Sequence, residues 1–389
     1  MKESKNSVKW VFGRKGEGAG ARSSELGIWS SELGTRNLEL GTWNLELGIW
    51  NLEFGIWSSE LGIWSSELGT RNLEQRTYQL NTSTTNNSTT QHLIMSLRSQ
   101  FTGTGIAIVT PFETDGSVDW KSLEKLLEFW IAGKVEYLVV LGTTGESATV
   151  HGDEKQELFS FVAKQVAGRV PLVAGIGGND TREVLAGFKE FNLEGYSAIL
   201  SVAPYYNKPN QEGLYQHYKT LNDAAPLPIM MYNVPARTGQ NLTAETQLRI
   251  AKDCPRIFAT KEASGNLEQV MQIIKNKPED FLVISGDDAL TLPLVALGAD
   301  GVTSVVANAY PLEFSDMVRA ALRGDFAAAR PLHYKLTDII NSMFAEGSPS
   351  GVKFFLAEMG LCQHTFRQPV WPVSAPLQTK IKGLMAEMG

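Results

Sequence analysis

Lys261 lies in Ile257-Phe-Ala-Thr-Lys-Glu-Ala-Ser-Gly265, a cation inside an otherwise apolar run. An unperturbed lysine, with a pKa of about 10.4, is almost wholly ammonium at neutral pH, and bringing it to about 7–8 takes near 4 kcal/mol of differential interaction. Burial supplies such a shift and yields an amine able to form a Schiff base with a carbonyl compound. A pairing with Glu262 would make the lysine structural instead. Adjacent strand residues face opposite sides of a sheet, which favours the reactive reading.

Other chemistry-bearing groups cluster at the ends of similar runs. Gly142-Thr-Thr-Gly-Glu-Ser147 combines free backbone with two hydroxyls, a composition that suits either a tight turn or a grip on a small carboxylate. Pro204-Tyr-Tyr-Asn207 and Tyr232-Asn-Val-Pro-Ala-Arg-Thr-Gly239 each bring tyrosine, which serves equally for packing with a bonded hydroxyl or for proton transfer. Arg237 suits a surface or inter-subunit ion pair or, through its planar fork, a substrate carboxylate. In Ser285-Gly-Asp-Asp288 the glycine lets a ligand approach the backbone, and the aspartates read as a helix cap and a loop hydrogen-bond partner. His151, His217, His333 and His364 fall outside the strand ends and receive no catalytic role. No metal, flavin, nicotinamide or pyridoxal site is legible.

Those groups need a scaffold that gathers run ends. Eight apolar runs, Gly105–Val109, Tyr137–Leu141, Pro171–Ile176, Ser197–Val202, Pro228–Tyr232, Ile257–Lys261, Phe281–Ser285 and Gly301–Val305, alternate with amphipathic stretches. Near-continuous apolar strands with crossover helices predict a parallel sheet buried on both faces. Eight such units close a (β/α)8 TIM barrel, whose active site lies at the C-terminal strand ends. Residues 325–344, 349–359 and 373–388 remain as helices outside the barrel. The predicted organisation is an extension over 1–94, a barrel domain over 95–324 and a C-terminal helical domain over 325–389. No G-x-G-x-x-G follows the first strand to support an open dinucleotide-binding sheet.

The first 94 residues read differently. A seven-residue unit recurs from Ser24 to Gln75 with glycines at 27, 34, 41, 48, 55, 62 and 69, followed by the polar run Asn81–Thr90. At about 1 kcal/mol for each interior glycine, a helical seam over this repeat would forfeit on the order of 7 kcal/mol. We expect a disordered extension, arising as translated repeat DNA upstream of a true start at Met95. An oligomerising or targeting segment is the other reading, and a glutamate in each repeat counts against a transit peptide.

The whole chain has 389 residues, 43% hydrophobic and 20% charged, with a formal net charge of −7. This balance, without a basic run interleaved with aromatics, argues against nucleic acid as a partner. No window is apolar enough for a membrane span or a signal peptide, and the only cysteines, Cys254 and Cys362, form no motif. The expected setting is the cytoplasm.

Residues 100–389 resemble the dihydrodipicolinate synthase (4-hydroxy-tetrahydrodipicolinate synthase) family of the pyruvate-dependent class I aldolases. G-T-T-G-E-S, P-Y-Y-N, Y-N-V-P-A-R-T-G, K-E-A-S-G-N and S-G-D-D occur in the family's order on the expected strands. The resemblance implies a lyase of the hydro-lyase class that condenses pyruvate with L-aspartate 4-semialdehyde in lysine and diaminopimelate synthesis, without a cofactor. It implies that Lys261 forms the pyruvate imine and that Tyr232 relays protons, linked through Thr143 to Tyr206. The Tyr206 hydroxyl would reach a neighbouring subunit's site, within a homotetramer built as a dimer of dimers. Thr144 would hold the pyruvate carboxylate and Arg237 the carboxylate of the semialdehyde. Gly286 and Thr303 would contact substrate through their backbone, Thr303 standing where isoleucine is expected.

Ser147, Ala148, Asn179, Glu183 and Tyr205 match the family's site for inhibition by L-lysine. Gly152 and Lys155 replace histidines of sensitive bacterial enzymes, which implies weak or absent inhibition. Sialic acid lyases and sugar-acid aldolases share the lysine, tyrosine and Gly-x-Thr-Gly-Glu loop but generally lack the Arg-Thr-Gly after Pro235-Ala236. A sister aldolase for a 2-keto sugar acid is therefore the alternative function, and a catalytically silent binding barrel a more remote one.

Overall fold

The computed structural model describes residues 97–388, so the expected disordered extension over 1–94 lies outside the described residues. The strands are β1 (Gly103–Ala107), β2 (Tyr137–Val140), β3 (Leu172–Gly175), β4 (Ala198–Val202), β5 (Ile229–Asn233), β6 (Ile257–Glu262), β7 (Leu282–Ser285) and β8 (Gly301–Ser304). They pair in parallel in chain order, and β8 returns to β1 to close the barrel. Each falls on one of the predicted runs. The largest difference is β1, which starts two residues early because the closing pair is Gly103↔Gly301. A Cβ on Gly301 would lie 2.1 Å from the Gly103 carbonyl oxygen. Backbone contact rather than an apolar side chain thus defines that strand's start.

The strands are buried along almost their whole length, the polar Thr260, Lys261 and Glu262 of β6 included, because helices cover the outside while side chains fill the inside. The helix Trp120–Ala132 shows the outer layer: Asp119 caps it by accepting from the Ser122 N–H, and Leu123, Leu126, Leu127 and Trp130 form its buried stripe. Each such side chain contributes roughly 1.5–3 kcal/mol of burial, so the helix is held by its face. At the N-terminal mouth, Phe101 meets Tyr137 edge-on with centroids 5.3 Å apart and Phe258 at 5.1 Å. That plug leaves the C-terminal mouth as the open end.

Beyond the barrel run the helices Phe326–Phe344, Ser350–Glu358 and Ala375–Met388, where apolar periodicity placed them. They bring Ser348, Pro349, Pro369 and Val370 to the open mouth. Among the described residues no helix is long and apolar enough to cross a membrane.

Candidate active site

The pleat of β6 points Lys261 into the barrel, where the residue is 4% exposed. Its register partner on β5 is Tyr232, and the Lys261 Nζ lies 4.4 Å from the centre of the Tyr232 ring. Burial pushes the lysine down to about 8; the negative charge of Asp288 opposes the shift and the positive charge of Arg237 adds to it. At neutral pH an appreciable fraction of the amine is therefore unprotonated and nucleophilic. Burial pushes Tyr232 up to about 12, opposed by Arg237 and by a side-chain hydrogen bond with Thr143. The phenol stays protonated, able to lend and recover a proton beside the amine.

Space for the lysine comes from Gly286, just past the end of β7. A Cβ there would stand 2.7 Å from Ala263 Cβ and 3.0 Å from Lys261 Cε. Glycine thus clears the path of the amine's own stem. Asp287 Oδ1 accepts from the N–H groups of Ala289 and Leu290 at 3.0 and 3.3 Å. Asp288 Oδ2 accepts from those of Val305 and Val306 at 3.0 and 2.9 Å. The two aspartates are therefore a turn cap and a tie between the β7 and β8 loops. Burial holds the Asp288 carboxyl up at about 6.

The loop Gly142–Ser147 follows β2 and presents Thr143 to the mouth while Thr144 is buried within it. Its turn is closed by the Gly145 N–H donating to Gly142 O and the Glu146 N–H to Thr143 O, each at 3.1 Å. Glu146 then anchors it: Oε1 accepts from Lys353 Nζ at 2.5 Å and Oε2 from the Arg367 N–H at 3.3 Å. This buried pair reaches from the loop to the C-terminal helices. Sequence reasoning missed it, although a lysine inside Ser350-Gly-Val-Lys-Phe-Phe-Leu356 is the same signal that exposed Lys261.

A cleft of about 620 Å³ opens at the mouth, with Thr143, Tyr232 and Arg237 on its wall. Arg237, on the short helix Pro235–Thr238, donates to the Ser348 carbonyl at 3.3 Å and is otherwise exposed, leaving its fork available to a carboxylate. Ser147, Ala148, Glu183, Tyr205 and Lys155 line the same cleft. Asn179 is tied through its carbonyl to Asn207 Nδ2 at 2.8 Å. Two residues stand apart. Thr303 Oγ1 is hydrogen-bonded to the Tyr137 hydroxyl at 2.7 Å inside the barrel, and Tyr206 is 88% exposed, turned away from its own chain. Among the described residues no group of three or more His, Cys, Asp or Glu side chains is arranged to hold a metal.

A parallel (β/α)8 barrel with a partly neutral lysine amine, a phenol and an arginine at its C-terminal mouth defines a class of protein equipped for imine chemistry on a carbonyl acid. Residues 100–388 match the model of the dihydrodipicolinate synthetase family, and the chain belongs to that family. It is 50% identical over 286 residues to the 4-hydroxy-tetrahydrodipicolinate synthase of Parabacteroides distasonis, covering 74% of this chain and 96% of that relative. The dihydrodipicolinate synthase of Aquifex aeolicus is similar in structure, with a TM-score of 0.72 at 40% identity, covering 74% of this chain and 98% of that one. The enzyme of Cyanidioschyzon merolae, solved with lysine bound, gives a TM-score of 0.71 at 39% identity, covering 74% and 97%.

Proposed function

We propose that this barrel condenses pyruvate with L-aspartate 4-semialdehyde, the reaction for which its relatives are named, as a lyase of the hydro-lyase class serving lysine and diaminopimelate synthesis. The observation that carries the proposal is the pairing of the depressed Lys261 amine with Tyr232, on a mouth that also presents Arg237. The neutral amine attacks the ketone carbon of pyruvate, water departs, and an imine forms. Loss of a methyl proton gives the enamine, whose carbon attacks the aldehyde of the second substrate. The semialdehyde's own amine then closes the ring on the imine carbon and releases the lysine.

In this reading Thr144 holds the pyruvate carboxylate, Arg237 that of the semialdehyde, and Gly286 and Thr303 offer backbone to substrate. Tyr232 and Thr143 pass protons, completed by Tyr206 from a neighbouring copy. The exposure of Tyr206 in a single chain supports this role, which needs a dimer; two such dimers make the homotetramer proposed here. The barrel and the C-terminal helices act as domains divided near 324, in a cytoplasmic enzyme. Of the residues proposed for the lysine site (Ser147, Ala148, Asn179, Glu183 and Tyr205), all but Asn179 line the cleft, where Lys155 brings an ammonium onto the wall, and Gly152 has no side chain to offer a ligand. That charge repels the amine of L-lysine, so inhibition is weak or absent; steady-state rates that collapse at low lysine concentration would contradict this.

The direct test supplies the full chain with both substrates and couples product to its NADPH-dependent reductase, with Lys261→Ala as control. Turnover that vanishes in the variant supports the reading. No turnover with the semialdehyde, alongside cleavage of a 2-keto sugar acid, would transfer the assignment to the sister aldolases.

A further inference from the structure

Strand alternation sends Tyr232 and Lys261 inward and their successors, Asn233 and Glu262, outward, and these outward residues are register partners. Asn233 Nδ2 lies 3.2 and 3.1 Å from the two Glu262 carboxylate oxygens. Gln247 Nε2 donates to the same carboxylate at 2.7 Å, Gln269 Nε2 at 3.2 Å and the Ser264 N–H at 2.8 Å. Gln247 comes from the helix Ala244–Asp253 and Gln269 from the helix Leu267–Asn276. Glu262 is 1% exposed, and every one of these partners is neutral. A carboxylate buried among dipoles alone is costly to keep, and its place in the fold shows what it does.

The β5–β6 register shifts between Ile229 and Met230: Ile229 pairs with Ile257, but Met230 pairs with Ala259. Past such a bulge, the apolar pattern of the first half no longer fixes which face a side chain takes. A one-residue slip would turn Lys261 outward and carry Glu262 into the barrel. We infer that the amide cage around Glu262 is a register lock, making Glu262 and Asn233 positioning residues that hold Lys261 and Tyr232 over one cavity. The cage grips the strand ends where the reactive pair sits and ties them to the two helices that follow. This inference rests on Lys261 as the imine-forming lysine.

The test follows capture of the pyruvate adduct by borohydride in the full chain, read by mass at Lys261, with its pH profile, the kcat and KM for pyruvate, and thermal melting. Glu262→Gln turns an amide N–H toward amide donors. Capture should slow at least about tenfold well below the melting temperature, with kcat reduced more than KM is raised. Its pH midpoint should rise as water reaches Lys261, while the other groups that face the amine, Tyr232, Arg237 and Asp288, are unchanged. Asn233→Asp/Glu262→Gln, which moves the carboxylate to the facing position, should recover part of the rate. Val283→Ala, on β7 in the core between that strand and the outer helices, should lower the melting temperature and leave capture alone.

Capture by Glu262→Gln at the wild-type rate and pH midpoint would overturn the lock. Should that variant not fold, Gln269→Leu decides, since it removes one donor and leaves the carboxylate its others: a slowed capture with a raised midpoint supports the lock, and unchanged capture overturns it. A wild-type chain that captures no pyruvate would instead overturn the imine reading, and the lock with it.

Discussion

Lys261 and Lys353 are both withdrawn from water, at 4% and 0% exposure, and their surroundings divide them. Lys353 Nζ donates to Glu146 at 2.5 Å and to the Thr365 carbonyl at 3.0 Å, with the rings of Phe112 and Phe366 at 4.4 and 4.9 Å. Burial pushes this amine down while Glu146 holds it up. Lys261 has a phenol ring beside it and feels Asp288 only through the field. A buried amine with a carboxylate partner ties parts of a fold together; one without a partner is left reactive. The two buried glutamates divide in the same way: Glu146 meets a cation, and Glu262 meets only amides.

The contrast can be broken from either side. Lys261→Ala should cost on the order of 10⁴-fold or more in turnover while leaving the melting temperature unchanged or higher, since a buried cation without a partner is removed. Coupled assay and circular dichroism on one preparation measure both. Lys353→Met strands Glu146 without its cation and should cost about 3–5 kcal/mol of stability. Adding Glu146→Gln should restore most of it, and a calorimetric cycle that finds no recovery would mean the pair is not the anchor.

Tyr232→Phe keeps the ring beside the amine and removes its proton, so kcat should fall about 10²-fold with the pyruvate KM little changed. The smallest effect is expected for Asp288→Asn, under about tenfold in rate at neutral pH. Because the Asp288 charge favours the ammonium form, its removal lowers the lysine pKa further. Adduct formation needs the neutral amine and rises with pH through about 8 in the wild type, so the variant's profile should move to lower pH. A move to higher pH would contradict the electrostatic account.

How legible each part was follows from the range of the physics. The eight strands could be read because a parallel barrel, buried on both faces, makes each one predominantly apolar, a local property, and β1, whose start rests on glycine backbones, shifted furthest. Lys261, Tyr232, Thr143 and Arg237 could be gathered because strand ends share one mouth. The clamp from Glu146 to Lys353 spans 207 residues, and no periodicity selects a partner so distant. The Glu262 cage was half visible: alternation correctly turned the glutamate away from Lys261 but could not supply the amides of Gln247 and Gln269. Tyr206, 88% exposed in one chain, acquires meaning only through the neighbouring copy we propose.

Lys261, buried and without a carboxylate partner among the described residues, is the nucleophile in this reading. Incubating the full chain with pyruvate, reducing with borohydride and mapping the modified peptide tests it most directly. A single reduced adduct is expected, on Lys261, forming faster as pH rises through about 8. An adduct on Lys353, or an intact protein mass unchanged by pyruvate and borohydride, would contradict it.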